Sequence, residues 1–552
     1  MTSSASTVVF WGAGATAALG MRTTAQQTDF ILALAGLAKG SSIDLGSRVN
    51  RALGSRANGR QRDLLRDLLI ILGDGADPAI GMHVVTSEQE SAMAQNWAPG
   101  ATIEDLRKRV VDLRLAYDWS ALQDVLRICP GVGSDQFKIN DLFNVLDMYA
   151  PFGHGFRAER GAFLDARRLL GAKAALKMLL HAMFYIDYQN CVGSPDSPLE
   201  KYEQFARWLG KRMQRAAASV TANFDRPEFI RGDVAFVSLN YDPLSLWTQF
   251  VANRELNADR SSTSGGGSSV PLHLFHDMGH FIPSRRVEPH SRPDLWYPMN
   301  EASAQRLNEE SSGCSHKVRL SKFLFPHGCL CWRECPDCGK LSAYHGDEWS
   351  LRSTSLIPPP PLAGFETRCT YPDVANLNAA DRAARMPEKR LWEEGVVDAR
   401  TCLHCGTLTT TEHTQTVMQS SFKQPPPSFI DEIQRDLRAL VMRADHVILM
   451  GYSLPPDDVI YRSFFAARRQ RTDASHPVRC TVVGWQPSIS GIIGPPNLGP
   501  GSFPEGTAVH SAREIFGADN VRFSGEGVPG AFCDATGGVS DSRLEELFTW
   551  NV

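Results

Sequence analysis

The sequence lacks an excess of charge of either sign. Its 57 Lys and Arg residues against 61 Asp and Glu residues give a formal net charge of −4 over 552 residues. A protein that binds nucleic acid usually carries a clear basic excess. The overall charge therefore gives no nucleic-acid signal and leaves only a local basic patch open.

Long apolar runs and an N-terminal basic segment are also absent. No stretch approaches the roughly 20 apolar residues that span a bilayer. Met1 to Met21 contains no Lys or Arg, whereas a secretory signal begins with positive charge. We therefore expect a cytoplasmic protein with no membrane segment. The chain is too long for one hydrophobic core, which predicts two or three structural units.

Cysteine is sparse, and four of the cysteines occur in two C-x-x-C motifs. Twelve cysteines in 552 residues are too few for a disulfide scaffold. Four of them form two C-x-x-C pairs, Cys335 with Cys338 and Cys402 with Cys405. Two such pairs supply four thiolates for tetrahedral Zn²⁺, the alternative being four free thiols. We predict a structural zinc site, because four thiolates leave no open position for water.

Two further groups of possible ligands carry weaker signals. His273, His276 and His280 have helical spacing, but only one carboxylate lies near them and they follow a flexible Gly/Ser loop. We interpret them as surface or packing histidines rather than a second metal site. The remaining cysteines of this region are spare, namely Cys329, Cys331 and Cys369.

Short apolar runs that stop at a small or polar cluster predict buried parallel strands. The runs are Thr7–Gly12, Val234–Leu239, Lys322–Phe325, His446–Met450 and Arg479–Gly484. The clusters that follow the first four begin at Gly12, Asn240, His327 and Gly451. In open α/β sheets, ligands bind outside the carboxyl ends of the strands. We therefore expect these four clusters to converge.

Helical patterns occupy most of the chain between the first two strands. Apolar residues recur at three- and four-residue spacing over Glu104–Leu126, Asp165–Tyr188 and Leu199–Val220. Phe429–Ala444 has the same pattern. After Ser524 the composition predicts irregular structure that closes with a short helix.

These patterns predict an α/β fold, namely a Rossmann-like parallel sheet with a large helical insertion and a small zinc-ribbon module. The first part of the sheet domain is 1–60, and the insertion is 61–230. The second part of the sheet domain is 231–330, the zinc module is 331–410, the third part is 411–523 and the C-terminal tail is 524–552.

The strand-end motifs each have a structural and a functional interpretation. The G-A-G triplet at Gly12 is either a plain tight turn or a turn that lets the backbone approach a pyrophosphate. Asn240 and Asp242 either form a turn before Pro243 or orient a ribose and a water. His327 is a candidate base.

The ordered set of motifs resembles the sirtuin family, and more closely its bacterial sirtuin-like NADase branch from anti-phage defence operons. The motifs are G-A-G-A-T (Gly12–Thr16), S-L-N-Y-D (Ser238–Asp242), H-G-C-L-C-W (His327–Trp332), the paired C-x-x-C knuckles and G-Y-S-L-P-P-D-D (Gly451–Asp458). The resemblance implies a Rossmann-like domain that binds NAD⁺, with a small zinc module beside it.

The resemblance also implies roles for individual residues. The residues implied to bind NAD⁺ are Gly12, Ala13, Gly14 and Thr16 at the phosphates and Gly451 and Ser453 on the adenosine side. Thr23 is also expected to contribute to NAD⁺ binding. Asn240 is implied to position an attacking water, His327 to act as base, and Asp242 to orient Asn240 and the ribose.

Three departures separate the chain from the deacylases of this family. Met21-Arg22-Thr23-Thr24 replaces their Ile-Pro-Asp-Phe-Arg segment, Thr407–Phe429 lacks their Phe-Gly-Glu segment, and the helical insertion is foreign to them. The expected function is hydrolysis of NAD⁺ to nicotinamide and ADP-ribose, as the toxic effector of an antiviral defence system. The alternatives are an NAD⁺-dependent protein deacylase and a non-catalytic sensor of NAD⁺ or ADP-ribose.

An enzyme that destroys a central cofactor has to be held inactive until it is needed. We expect the helical insertion to provide this control through a homo-oligomer or a partner protein. The resemblance implies an operon-encoded partner such as an ATPase or a sensor. The alternative is that the insertion simply covers the pocket.

We predict about one Zn²⁺ per chain, held by the four paired cysteines. Cys335→Ser should lower solubility or stability, because metal binding is coupled to folding in such modules. Cys369→Ser, at a spare cysteine, should leave the zinc content unchanged. Metal analysis of freshly purified protein measures this content, and protein without zinc would contradict the prediction.

Overall fold

The structure is a computed structural model that describes residues 7–42, 44–74, 111, 113–134, 136–158, 161, 163–218, 234–258, 284–286, 322–334, 341–345, 378–380, 383, 414–416, 420, 428–471, 477–499 and 503–550. The paired cysteines, Cys369 and the histidines at 273, 276 and 280 lie outside these residues. Within them, no three His, Cys, Asp or Glu side chains are placed to hold a metal ion. The zinc-ribbon module therefore stays a prediction.

Within the described residues, a seven-stranded sheet forms the centre of the protein. From one edge to the other its strands are β6 (Phe323–Leu324), β4 (Val234–Ser238), β1 (Thr7–Trp11), β10 (His446–Met450), β11 (Arg479–Val483), β13 (Val521–Ser524) and β12 (Ile492–Ile493). The first six pair in parallel, and β12 is antiparallel to β13 at the edge. In chain order the parallel strands run 3-2-1-4-5-6, the order of the doubly wound Rossmann fold. The predicted α/β class with a mostly parallel sheet is confirmed.

The central strands form because their apolar runs are buried on both faces. Every residue of β1, β4 and β10 is buried, which explains why these strands read as continuous apolar runs without alternation. The five predicted strands all occur, with ends within two residues of the prediction. The sequence did not predict β13, because it contains Arg522. This side chain is buried and donates to the carbonyl oxygens of Glu546, Leu547 and Thr549.

A second, four-stranded sheet lies beside the first and was not predicted. Its order is β5 (Ser284–Arg286), β8 (Leu341–His345), β7 (Gly328–Glu334) and β9 (Thr414–Thr416). Strand β7 follows His327 directly and leads toward Cys335. A short hairpin of β2 (Phe156–Arg157) and β3 (Phe163–Leu164) interrupts the helical region.

Helices pack around these sheets. Those of the first 74 residues are α1 (Ala13–Thr16), α2 (Thr24–Leu34), α3 (Leu45–Leu53) and α4 (Gly59–Ile71). Those between β1 and β4 continue with α5 (Trp119–Ile128), α6 (Ile139–Tyr149), α7 (Ala166–Gly193) and α8 (Leu199–Ala218). In the described residues after β4, the helices are α9 (Leu244–Ala258), α10 (Ser428–Arg443), α11 (Val459–Arg469), α12 (Ala508–Phe516), α13 (Gly527–Gly530) and α14 (Asp541–Phe548).

The helical insertion differs from its prediction in two places. The pattern over Glu104–Leu126 is not one helix, because the chain breaks at Asp118. The Asp118 carboxylate caps α5 by accepting from the Ala121 N–H at 2.7 Å. Helix α6 was not predicted. In the C-terminal region, the closing helix α14 is present, as expected.

Helix α7 is the one helix in the described part of the chain that is long and apolar enough to cross a membrane. Of its most apolar window, 78% is buried inside the protein. It packs against α5 and α6 and therefore serves as the central helix of the insertion in this structure.

The turns after β1 and β10 meet where the sheet changes direction of winding. The Gly12 N–H donates to the Met450 carbonyl oxygen, and the Gly14 N–H donates to the Gly451 carbonyl oxygen, both at 2.9 Å. Gly451 has φ +60°, and a Cβ on it would lie 2.0 Å from the Ala15 nitrogen. Glycine is therefore required here both by conformation and by space.

We expect Gly451→Ala to destabilise the protein by roughly 3 kcal/mol or more, the sum of left-handed backbone strain and a backbone clash. Gly537→Ala is the matched control, because Gly537 has φ +82° but nothing within 4 Å of its ideal Cβ. The control should lose only the strain term of about 1–2 kcal/mol. Chemical denaturation compares the two, and equal losses would contradict the packing argument.

Candidate active site

The turn after β4 is anchored on the turn after β1. The Leu239 N–H donates to the Trp11 carbonyl oxygen at 2.9 Å. The Thr16 hydroxyl lies 3.4 Å from the Ala13 carbonyl oxygen, to which it donates, and the Asn240 amide nitrogen donates to the Thr16 oxygen at 3.0 Å. Since the Thr16 proton is directed at a carbonyl, its oxygen has to accept, which fixes the orientation of the Asn240 amide.

Asp242 takes part in the turn after β4, and its role in orienting a ribose stays a prediction. One carboxylate oxygen accepts from the Leu244 N–H at 3.1 Å at the start of α9, which is turn chemistry. The residue is only 2% exposed. Burial raises the pKa of this carboxyl group to about 6, while the Leu244 N–H and the Asn240 amide favour its charged form. Asp242 is therefore a buried carboxylate beside Asn240 with a pKa of about 6.

Asn240 and Asp242 face a cleft of about 400 Å³, counting the solvent at its mouth. The lining combines polar groups from the sheet domain with aromatic rings from the insertion. Its residues are Ala13, Thr16, Arg22, Thr24, Gln27, Phe143, Phe184, Leu239, Asn240, Tyr241 and Asp242. The Phe184 ring meets the Tyr241 ring edge-to-face, with centroids 6.3 Å apart. The insertion therefore forms one wall of the cleft.

The residues expected to bind nucleotide divide into two groups. Ala13 and Thr16 line the cleft. Gly12, Gly14 and Gly451 instead pack the two turns together, and the Gly14 N–H that would face a phosphate is already bonded to Gly451. The two glycines of the G-A-G triplet therefore form a tight turn in this structure, and their role at a phosphate stays a prediction.

Thr23 and Ser453 do not line the cleft described here. The Thr23 N–H donates to the Gln26 side chain at 3.0 Å in a capping box that starts α2. Ser453 is exposed on the loop after β10. The residue next to Thr23, Thr24, lies on the cleft instead.

His327 lies beneath the Asn240 turn and is 0% exposed. Its Nδ1 is 3.2 Å from the Leu239 carbonyl oxygen, and its Nε2 is 3.9 Å from a carboxylate oxygen of Asp458. A carbonyl only accepts, so Nδ1 carries the proton of this contact and Nε2 faces Asp458. The Tyr452 hydroxyl donates to the other Asp458 oxygen at 2.7 Å. The four predicted strand-end clusters do converge, but His327 is not part of the cleft lining.

Two spare cysteines meet close to this site. The sulfur atoms of Cys329 and Cys331 are 3.2 Å apart on β7, and both residues are buried. Burial and the neighbouring thiol raise the pKa of Cys329 well above its usual value, and the Asp242 carboxylate adds to this. The thiol therefore stays protonated at neutral pH, which makes it a poor nucleophile in this state.

Sequence reasoning missed Arg22, Gln27, Phe143, Phe184 and Tyr241 as cleft residues. Arg22 carries one usable signal, since it is the first charged residue of the chain. The two phenylalanines carry none, because they belong to helices whose apolar positions all look alike in sequence. Their place on the cleft depends on how the insertion folds back.

Asp242→Asn should show how much the buried carboxylate costs in stability. Because the carboxyl pKa is about 6 in the folded protein, above the ordinary 3.8, Asp242 contributes stability at pH 4 that is lost as the pH rises through 6. The variant should be more stable than wild type at pH 8 by on the order of 2–3 kcal/mol, since one pKa unit corresponds to about 1.4 kcal/mol. The difference should vanish toward pH 4.

Denaturation at pH 4, 6 and 8 measures these stabilities. Asp534→Asn is the control of opposite sign, because hydrogen bonds from Thr536 lower the pKa of this exposed carboxyl group. It should be less stable than wild type at pH 8 and equal to it at low pH. An Asp242→Asn protein that loses stability at pH 8 would contradict the account of the site.

No protein-family model matches the chain, and no curated protein matches it significantly. The chemistry of the cleft and the order of the motifs are therefore the features that point to a function.

Proposed function

We propose that the chain hydrolyses NAD⁺ in this cleft to nicotinamide and ADP-ribose. The observation that carries the proposal is the placement of Asn240. Its amide is fixed by Thr16 and lies beside the Asp242 carboxylate, at the carboxyl edge of a sheet with Rossmann strand order. That edge is where open α/β sheets bind their ligands. The resemblance of the motifs to sirtuin-like NADases supports the same conclusion.

The orientation of Asn240 suits a residue that positions water. Its amide nitrogen donates to Thr16 and supports the Asp242 carboxylate. The amide oxygen is then the atom that accepts a hydrogen bond from a water molecule. Holding that water in line with the ribose C1′ turns an encounter from solution into a prearranged attack.

The reaction places a demand on the cleft that a buried carboxylate meets. Cleavage of the bond between C1′ and nicotinamide passes through an oxocarbenium-like state, as in glycoside hydrolysis. In its ionised form Asp242 stabilises positive charge on the ribose and orients the ribose hydroxyls. Its pKa of about 6 leaves it ionised at neutral pH. As the water adds to C1′, nicotinamide leaves as a neutral molecule and one proton is released; the motif resemblance implies His327 as the base that receives it.

The aromatic wall favours a small substrate over a peptide. Phe143, Phe184 and Tyr241 offer apolar surface for the nicotinamide ring and exclude bulk water. The insertion forms one wall of the cleft. This wall leaves less room for a peptide, which supports hydrolysis rather than deacylation of a protein.

Binding of NAD⁺ or ADP-ribose without turnover is the second candidate function. The burial of His327 favours it, since a residue with no exposed surface does not reach a substrate directly. Under this proposal the chain is a sensor, and the His327–Asp458 contact holds the loop after β10 in place.

The cellular setting is also a proposal. The motif resemblance supports a toxic effector of antiviral defence, acting as a homo-oligomer or with an operon-encoded ATPase or sensor. Zn²⁺ bound by Cys335, Cys338, Cys402 and Cys405 would hold the region next to the four-stranded sheet. The chemistry of those four thiolates is structural, with no part in the reaction.

Asn240→Ala and His327→Ala should each lower NAD⁺ cleavage at least ~10²-fold, because a positioned acid–base group contributes about 10²–10⁴ in rate. Asn520→Ala is the matched control. Its amide donates to the Phe516 carbonyl oxygen at 3.0 Å far from the cleft, so it should lose about 1 kcal/mol of stability and no activity. Release of nicotinamide from NAD⁺, followed by chromatography, measures the rates.

Three comparisons decide between the candidates. Folded Asn240→Ala protein with full activity would overturn the assignment of Asn240. Wild-type protein that binds NAD⁺ but does not cleave it would support the sensor instead. Turnover that requires an acetyl-lysine peptide would replace hydrolysis by deacylation.

A further inference from the structure

A buried ion pair joins the cleft to the helical insertion. Arg22 lies between α1 and α2, is 4% exposed and lines the cleft. One of its terminal nitrogens is 3.6 Å from a carboxylate oxygen of Asp187, which lies on α7 and is 2% exposed. This distance exceeds that of a hydrogen bond, so the two groups attract one another by charge alone.

The hydrogen bonding of this pair is incomplete. Among the described residues, neither carboxylate oxygen of Asp187 nor Nη1 of Arg22 has a hydrogen-bond partner. The Arg22 backbone N–H also favours the charged form of Asp187, without reaching hydrogen-bond geometry. The guanidinium carbon lies 5.0 Å from the centroid of the Phe30 ring. Buried charges in this state are poorly compensated, so an added anionic partner would be favourable.

Arg22 is the single cation among the described residues that line the cleft. Its planar guanidinium presents paired N–H donors, which suit the oxygens of phosphate better than an ammonium group does. The Gly14 N–H, expected to contact a phosphate, is bonded to Gly451 instead. The cleft therefore needs another donor for an anionic ligand group, and Arg22 is the residue placed to supply it.

We propose that Arg22 binds a phosphate oxygen of the dinucleotide, and that Asp187 holds the guanidinium while the cleft is empty. This inference rests on the proposed function, since it takes NAD⁺ as the ligand. The ligand phosphate completes the hydrogen bonds that Asp187 leaves unmade. The insertion thereby carries the group that competes with the ligand, and it sets the affinity of the cleft for anions.

Calorimetric titration with three ligands tests this proposal. NAD⁺ and ADP-ribose carry the pyrophosphate, and nicotinamide riboside does not. Arg22→Gln should weaken binding of the first two by about 10- to 100-fold, the scale of a lost charge-assisted hydrogen bond. It should change binding of nicotinamide riboside by less than about twofold, because a neutral glutamine removes only the anion contact. Arg22→Lys keeps the charge but lacks the paired N–H donors. Its affinity for NAD⁺ and ADP-ribose should therefore lie between those of wild type and Arg22→Gln.

Two further variants separate a direct contact from general electrostatics and from simple support. Arg56→Gln removes a nearby exposed cation that acts on both Arg22 and Asp187, and it should alter NAD⁺ affinity by less than about twofold, as exposed charges are screened. Asp187→Asn should tighten NAD⁺ binding, since it removes the competing carboxylate. It also tests the proposal if the Arg22 variants fail to fold.

The outcomes distinguish the two levels of inference. Wild-type protein that binds none of the three ligands overturns the proposed function itself. Wild-type protein that binds NAD⁺, with equal affinity in Arg22→Gln, overturns the role of Arg22 alone. Losses of the same size in Arg22→Gln and Arg56→Gln would reduce the effect to general electrostatics. Weaker NAD⁺ binding in Asp187→Asn would overturn the proposal that Asp187 competes with the ligand for Arg22.

Discussion

The contact between the turns after β1 and β10 is the constraint on which the candidate site depends. The Gly14 N–H bonds the Gly451 carbonyl oxygen, and only glycine leaves enough space for these backbones to approach. This contact places α1, and Thr16 at its end, against the turn after β4. Thr16 then orients Asn240. The G-A-G triplet thus acts as a packing element in this structure.

The insertion is part of the site rather than an appendage to it. Phe143 and Phe184 line the cleft, and the Tyr202 hydroxyl of α8 donates to the Ala15 carbonyl oxygen at 2.6 Å. Asn140 of α6 donates to Asp457 in the loop after β10. These contacts reach the turns of three strands. Any change in how the insertion packs therefore alters the cleft directly, which makes it suited to control as well as to covering.

Charge is buried at the cleft at a cost to stability. Asp242, Arg22 and Asp187 are each less than 5% exposed, and burial raises the pKa values of both carboxyl groups to about 6. Such groups persist where the surrounding apolar packing compensates for them. Here that packing comes from a sheet whose central strands are buried on both faces. Such a low-dielectric setting would strengthen each contact to a charged ligand.

Local sequence patterns were enough to predict five strands of the main sheet and the edge where they end. Val8, Val9 and Phe10 belong to a run so apolar that only burial on both faces accommodates it, and a parallel strand is the short element that provides this. Asn240 and Asp242 were found because they follow such a run directly. Tertiary structure alone decided the rest. Phe143, Phe184 and Asp187 reach the cleft through contacts between distant segments, and their local sequence resembles that of any buried helix. His327 was placed at the right strand end, yet its burial beneath the Asn240 turn follows from how β7 packs against that turn, which no local pattern records.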